Sequence, residues 1–354
     1  MSKEIENLLT STLKEGMILA EDLILNNVKL LSKDTILNAK SIEKIRSLYP
    51  VSFVPIYKSQ NNEDDESSDE TYVKRYKETE AILSEFSTQM KTIFKNINHK
   101  VQPNMNHVRV LSENILTKMN DHGMVIKNIV DPIKLDEYLY RHSVNVAALS
   151  SMLGGWLNLK KRDLVLLTHA AMLHDIGKAQ LSKEILNKTT PLTKKETDIL
   201  KKHPIIGYNL MKKVPYIDTS IQLGILMHHE RIDGSGYPLK LKDTQIHGFA
   251  KIIAIADEFD NMTSDKNSKN NHCSLYALQN IKDLSFSSLD TKFCSVFLNH
   301  VSNYYIGEKV KLSNGKVGRI LKMNINTITK PLVQIENSFI DLSKEHNLSI
   351  TDIV

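Results

Sequence analysis

From residue 131 to about 300 the apolar residues recur at intervals of three and four with almost no strict alternation, which predicts helix after helix. Leu135, Leu139, His142, Val146, Leu149 and Leu153 share one helix face. Asp163 to Leu173 is nearly continuously apolar and predicts a buried helix, and Phe249 to Phe259 predicts another. Thr193 and Glu196 fit a capping box, with a helix running on through Ile199 and Leu200 to His203. Met227 to Pro238 breaks into a Gly-rich loop.

The flanks read differently. In the first sixty residues, Leu23–Leu25, Val28–Leu31 and Val51–Val54 are short β-prone stretches, and Ser41–Leu48 places Ile42, Ile45 and Leu48 near one helix face. Tyr76, Ile82, Leu83, Phe86, Met90, Ile93 and Phe94 predict a long lead-in helix from Tyr72 to about Ile97, with a further helix from Val108 to Met119. After Tyr305 the period shortens. Val310 and Leu312 alternate, Asn314-Gly315 is a hairpin signal, and Val317, Ile320, Val333 and Ile335 continue a strand-like pattern. The expected fold is mainly α, an all-helical domain with a small α/β unit before it and a small β appendage after it. The boundaries are 1–58 for the α/β unit, 59–71 for an acidic linker, 72–130 for a helical lead-in, 131–303 for the main domain and 304–354 for the appendage.

Charge refines this division. The net charge is +5, but Glu63, Asp64, Asp65, Glu66, Asp69 and Glu70 sit together without a base, leaving +11 for the remainder. Such a run reads as a solvated linker. An excess this small makes no case for binding a nucleic-acid polymer. Two cysteines, Cys273 and Cys294, cannot build a disulfide framework or a cysteine zinc cluster. The N-terminus has no secretory pattern and no apolar run approaches a membrane span, so a cytoplasmic location is expected.

The chemistry-bearing residues are His142, His174, Asp175, His203, His228, His229 and Asp257, each near a predicted helix end or on an otherwise apolar face. Five imidazoles and two carboxylates exceed the needs of one tetrahedral zinc and suit two metal ions sharing a carboxylate. Nitrogen and oxygen donors without thiolate favour iron or manganese, with other divalent metals open; no organic cofactor is implied. His169 reads as a core residue. Lys178 is one helical turn from His174 and can face the same centre. Adjacent histidines followed by Gly234, Gly236, Tyr237 and Pro238 have no evident packing purpose.

These strings carry a resemblance. Residues 131 to about 300 resemble the HD-GYP family, a branch of the HD metal-dependent phosphohydrolases that hydrolyse the bacterial messenger cyclic di-GMP. The landmarks are Tyr138-x-x-x-His142-Ser143, HDIGK at 174–178, Lys188 with Leu192-Thr193 and Glu196, His203-Pro204 with Gly207, HHERIDGSGYP at 228–238, and Ile253-Ala-Ile-Ala-Asp257. The two flanking units are also similar to ones that accompany this domain. The resemblance implies one metal held by His142, His174, Asp175 and Asp257, and a second held by Asp175 as bridge with His203, His228 and His229. It further implies attack of a metal-bridging hydroxide on a phosphodiester, giving linear pGpG and/or GMP, with Asp175 and Lys178 as catalytic residues. Lys178 would place charge on the scissile phosphate, and Gly236, Tyr237 and Pro238 would close one side of the pocket and meet protein partners.

Two departures stand out. Tyr138 occupies the position where some members carry a third-metal glutamate, and Glu137 is turned away on the helix, so two metals are expected. Lys266-Asn267-Ser268-Lys269 stands where Arg-Pro-Tyr-Arg is common, which keeps Lys266 and Lys269 as phosphate contacts but replaces planar forks with point charges. Another cyclic dinucleotide, a nucleotide monoester, or a cyclic di-GMP-binding module with little activity therefore stay open. The apolar face of the lead-in helix is free either to pair with a second copy or to pack within the chain.

Overall fold

The computed structural model describes residues 5–10, 13–25, 28–48, 53–57, 64–98, 104–130, 138–188, 190–264, 274–336, 338–345 and 347–354. Leu135, Glu137, Lys266 and Lys269 lie outside the described residues. The N-terminal unit comprises β1 (Ile5–Leu9), β2 (Leu23–Leu25), β3 (Val28–Leu31), α1 (Ala39–Leu48) and β4 (Phe53–Tyr57). β1 pairs antiparallel with β4, and β2 with β3. β1 has no clear alternation in sequence and becomes a strand through its pairing with β4. Leu13, Leu19, Leu37, Ile42, Ile45, Val54 and Ile56 form a core of its own for this unit.

The lead-in helix α2 spans Asp64–Asn98, so the acidic run from Asp64 onward is helical rather than a linker. Carboxylates gathered at a helix N-terminus are favoured by the helix dipole, which accounts for the earlier start. Leu83, Phe86, Met90, Ile93, Phe94 and Ile97 are buried in the main core. This part of the apolar face packs inside the chain.

The helical body continues with α3 (Met105–Lys118), α4 (His122–Ile129), α5 (Tyr138–Trp156), α6 (Lys161–Leu173), a 3₁₀ turn at Ile176–Gln180, α7 (Lys183–Leu186), α8 (Lys194–Leu200), α9 (His203–Met211), α10 (Thr219–Met227), α11 (Gly248–Ser264), α12 (Ser274–Leu284) and α13 (Thr291–Asn303). α5 is the axis of this body: it is buried continuously from Arg141 to Gly154 and packs against α2, α6 and α11. The capping box at Thr193 and Glu196 is formed. The helix it starts ends at Leu200 instead of reaching His203, because Pro204 lacks an N–H and instead opens α9.

The C-terminal strands β5 (Lys309–Leu312), β6 (Val317–Lys322), β7 (Leu332–Ile335), β8 (Ser338–Asp341) and β9 (Ile350–Ile353) form one antiparallel sheet in the order β8-β7-β6-β5-β9. Gly315, at φ +82°, makes the turn between β5 and β6. Val310, Leu312, Ile320, Val333 and Ile350 belong to the same apolar core as the helices, so the appendage is fused to the helical body. No helix among the described residues is long and apolar enough to cross a membrane.

One close approach holds the centre of the body together. A Cβ on Gly177 would lie 2.0 Å from the His203 carbonyl oxygen and 2.7 Å from the Gly207 amide nitrogen. Both are backbone atoms, which cannot yield as a side-chain tip can. Gly177→Ala should therefore cost at least about 2 kcal/mol in denaturant unfolding. Gly155→Ala, whose Cβ would meet nothing within 4 Å, should leave stability unchanged or raise it by up to about 1 kcal/mol.

Candidate metal centre

Three of the histidines sit where helices end. His174 follows α6, His203 follows α8 at the start of α9, and His228 follows α10. The last carbonyls of a helix have no intrahelical partner. Here they accept from the imidazoles: His174 Nδ1 donates to Ala171 O at 2.7 Å, His203 Nδ1 to Leu200 O at 2.8 Å and His228 Nδ1 to Ile225 O at 2.7 Å. With the proton on Nδ1, each Nε2 presents a lone pair to the centre. His142, inside α5, is oriented differently: its Nδ1 donates to Asp260 Oδ2 at 2.7 Å.

The lone pairs converge in two groups, His142 with His174 and Asp257, and His203 with His228, His229 and Asp175. Within each group a pair of Nε2 atoms approaches to 3.2 Å, His142 to His174 and His203 to His228. At His203 and His228 two acceptors thus face one another, the arrangement a shared cation resolves. Asp175 lies between the groups. Its Oδ1 is 3.1 Å from His203 Nε2, and its Oδ2 is 3.6 Å and 3.5 Å from the Nε2 atoms of His142 and His174. It is 1% exposed, and Oδ1 has no hydrogen-bond partner. A buried carboxylate oxygen left this way is costly unless a cation takes it.

Protonation follows from the surroundings. Burial and the neighbouring imidazoles push His228 well below its ordinary value, and burial does the same to His229. Both are neutral and able to ligate at pH 7. Burial opposes ionisation of Asp175, but Lys178 and the surrounding histidines outweigh it and hold the carboxyl well down. Asp257 is held down against burial by His142, His229 and His174. For His142, burial acts downward, yet hydrogen bonds and charge from Asp257 and Asp260 win and raise it to about 10.

Lys178, in the 3₁₀ turn, does face the centre. Its Nζ is 2.5 Å from Asp175 Oδ2, with the side chain 23% exposed. Gly236 fits because a Cβ there would lie 2.4–2.5 Å from the backbone of His229, Glu230 and Arg231. This close approach lets Tyr237 N donate to His229 O and stack its ring on His229, with centroids 4.6 Å apart. Lys201 Nζ lies 5.2 Å from the same ring. Tyr237 is pushed upward by burial and the nearby carboxylates and stays a neutral phenol. Pro238 follows in the loop. His169 stands apart from both groups, buried.

Several supporting residues escaped sequence reasoning. Glu230 is 3% exposed and its two oxygens accept from Leu239 N and Leu241 N, clasping the Gly-Tyr-Pro loop. Tyr138 stacks on His142 and donates to Asn261 Oδ1, so that Asn261 Nδ2 donates to Asp257 Oδ1 at 2.8 Å. Asp260 had a signal, since it lies one turn from Asp257 on a buried face. Asn145 and Arg141 had none beyond being polar on a largely apolar helix, and Glu230 none beyond its place in the HHERIDGSGYP string.

The centre lies within the segment, residues 126–292, that matches a family model described as HD domain. The chain is 31% identical over 229 residues to a cyclic di-GMP phosphodiesterase of Pseudomonas aeruginosa, covering 65% of this chain and 55% of that protein. It is 31% identical over 217 residues to a cyclic di-GMP phosphodiesterase of Thermotoga maritima, covering 59% and 58%. The chain thus spans somewhat over half the length of these relatives. A solved structure described as an HDG"Y"P protein from Bdellovibrio bacteriovorus superposes with a TM-score of 0.51 at 16% identity, over 84% of this chain and 99% of that one, and shares its fold. HDIGK and HHERIDGSGYP both lie inside the matched segment, which is thus similar to the HD-GYP branch of the HD-domain family.

Proposed function

We propose that the centre holds two divalent cations, iron or manganese, and that the protein hydrolyses cyclic di-GMP to linear pGpG and/or GMP. The placement of Asp175 supports this most directly, since one buried carboxylate turns one oxygen to each histidine group. When bound, such a pair of cations supplies the water activation and phosphate charge neutralisation that phosphodiester hydrolysis requires. His142, His174, Asp257 and Asp175 hold one cation; Asp175, His203, His228 and His229 hold the other. The site's relatives in Pseudomonas aeruginosa and Thermotoga maritima, named for this substrate, support the choice of nucleotide.

The chain's own groups have defined tasks in this reading. Lys178 leaves Asp175 for the scissile phosphate, where negative charge grows in the transition state. Tyr237 and Lys201 lie beside His229, and the resemblance keeps Lys266 and Lys269 as phosphate contacts. Tyr138 donates to Asn261, which in turn donates to Asp257, where a third cation would need a carboxylate, so the count is two.

Metal analysis of anaerobically purified protein should give two ions per chain, and anomalous scattering two peaks; three occupied positions would overturn the count. Asp175→Ala should lose both ions and all turnover of cyclic di-GMP. Lys178→Met should keep both ions while kcat falls about 10²–10³-fold, read from single-turnover product formation. If a panel of cyclic dinucleotides under equal metal loading shows cyclic di-GMP to be a poor substrate, the assignment of substrate fails.

Proton and cation compete for His142 Nε2, because that imidazole is raised to about 10 by Asp257 and Asp260 despite its burial. Cation uptake should therefore release protons and strengthen as pH rises from about 6 to 9. Calorimetric titration of manganese in buffers of different ionisation heat reads the proton count; an affinity that weakens with rising pH contradicts the coupling.

A further inference from the structure

The orientation of His142 is unlike that of the three helix-end histidines. His174, His203 and His228 are fixed by carbonyls three residues before them, within their own turns. His142 is fixed by a side-chain chain that crosses three helices. Asp260 on α11 accepts from His142 Nδ1 through Oδ2, and through Oδ1 it accepts from Asn145 Nδ2 at 2.8 Å. Asn145 Oδ1 accepts in turn from Arg141 Nε at 3.1 Å, both on α5. Arg141 then reaches α2, donating Nη1 and Nη2 to the two carboxylate oxygens of Glu80 at 3.0 and 2.6 Å.

The polarity of this chain is determined at one end. A guanidinium only donates, so Asn145 must turn its oxygen to Arg141 and its amide NH₂ to Asp260. A carboxylate only accepts, so Asp260 takes the Nδ1–H of His142 and leaves Nε2 for the centre. Every link except the last is buried: Arg141 is 6% exposed, Asp260 0%, and Glu80 46%. Buried polar networks of this kind specify one arrangement when all members are satisfied.

We propose that Asp260, Asn145, Arg141 and Glu80 are positioning residues, through which the lead-in helix α2 sets the cation affinity of the His142 half of the centre. The proposal rests on the two-cation reading above and adds a dependence of one site, not both, on the docking of α2. α2 follows the N-terminal unit in the chain, so the connection runs from that unit's C-terminal side to a single ligand. In the other half, His203 and His228 are held by carbonyls of their own turns, and that half is independent of it.

The test is a manganese titration of the full-length, metal-stripped chain, with free ion followed by electron paramagnetic resonance. Asp260→Asn leaves one acceptor for two donors, so one link must break. It should weaken one of the two sites about 10- to 100-fold and leave the other within about twofold. Glu80→Gln, at the partly exposed end, keeps the fold and should weaken the same site by about 2- to 5-fold. In the double variant the Glu80→Gln effect should largely vanish, because the link it acts through is already broken. Equal weakening of both sites, unchanged affinities, or additive effects in the double variant overturn the proposal. Uptake of no manganese by the unsubstituted chain would instead sink the two-cation reading, and this proposal with it.

Discussion

The buried carboxylate of Asp175 is the constraint around which this structure is organised. An anion cannot be withdrawn from water without compensation, and the compensation here is assembled from five different segments. Lys178 touches one of its oxygens, His203 approaches the other, and His142, His174 and His228 close the remaining sides. Those groups reach Asp175 only if α5, α6, α9 and α10 meet at one level. The near-contact of Gly177 with the His203 and Gly207 backbone makes that meeting tight. Packing and electrostatics therefore impose the same geometry.

Helix ends do most of the remaining orientation. Orphan carbonyls at the ends of α6, α8 and α10 are a general liability of helices, and the three imidazoles turn them into fixed tautomers. The same arrangement brings negative helix termini toward a place that takes cations. The Gly-Tyr-Pro loop is held as firmly: Glu230 clasps its far side, Gly236 lets its backbone approach, and Tyr237 covers His229. The loop thus packs over His229 in addition to following two histidines in sequence.

The sequence made the helical body legible because its apolar spacing is regular and its punctuation strong. Thr193 and Glu196 form the capping box that the sequence predicts. The misjudged ends have physical causes. The helix from Thr193 stops at Leu200 because Pro204 cannot continue it, and α2 starts at Asp64 because clustered carboxylates serve as a helix start as readily as a linker. The candidate ligands were legible because adjacent histidines followed by a Gly-x-Gly-Tyr-Pro turn have no evident packing purpose. Asn145, Arg141, Asn261 and Glu230 were not, since such a polar residue gains meaning only from what faces it.

By itself the sequence determined the helical class, singled out seven candidate nitrogen and oxygen donors and carried the family resemblance. These are properties of local spacing and residue type, which neighbouring positions suffice to specify. Only the tertiary structure decided that part of the lead-in helix's apolar face packs inside the chain, that the C-terminal sheet shares the helical core, and that Asp175 stands between two groups of histidines. It also decided that His142 is oriented through Asp260 by residues as distant as Glu80. Such facts depend on distances between segments far apart in the chain, and a hydrogen bond has no sequence signature until its donor and acceptor meet.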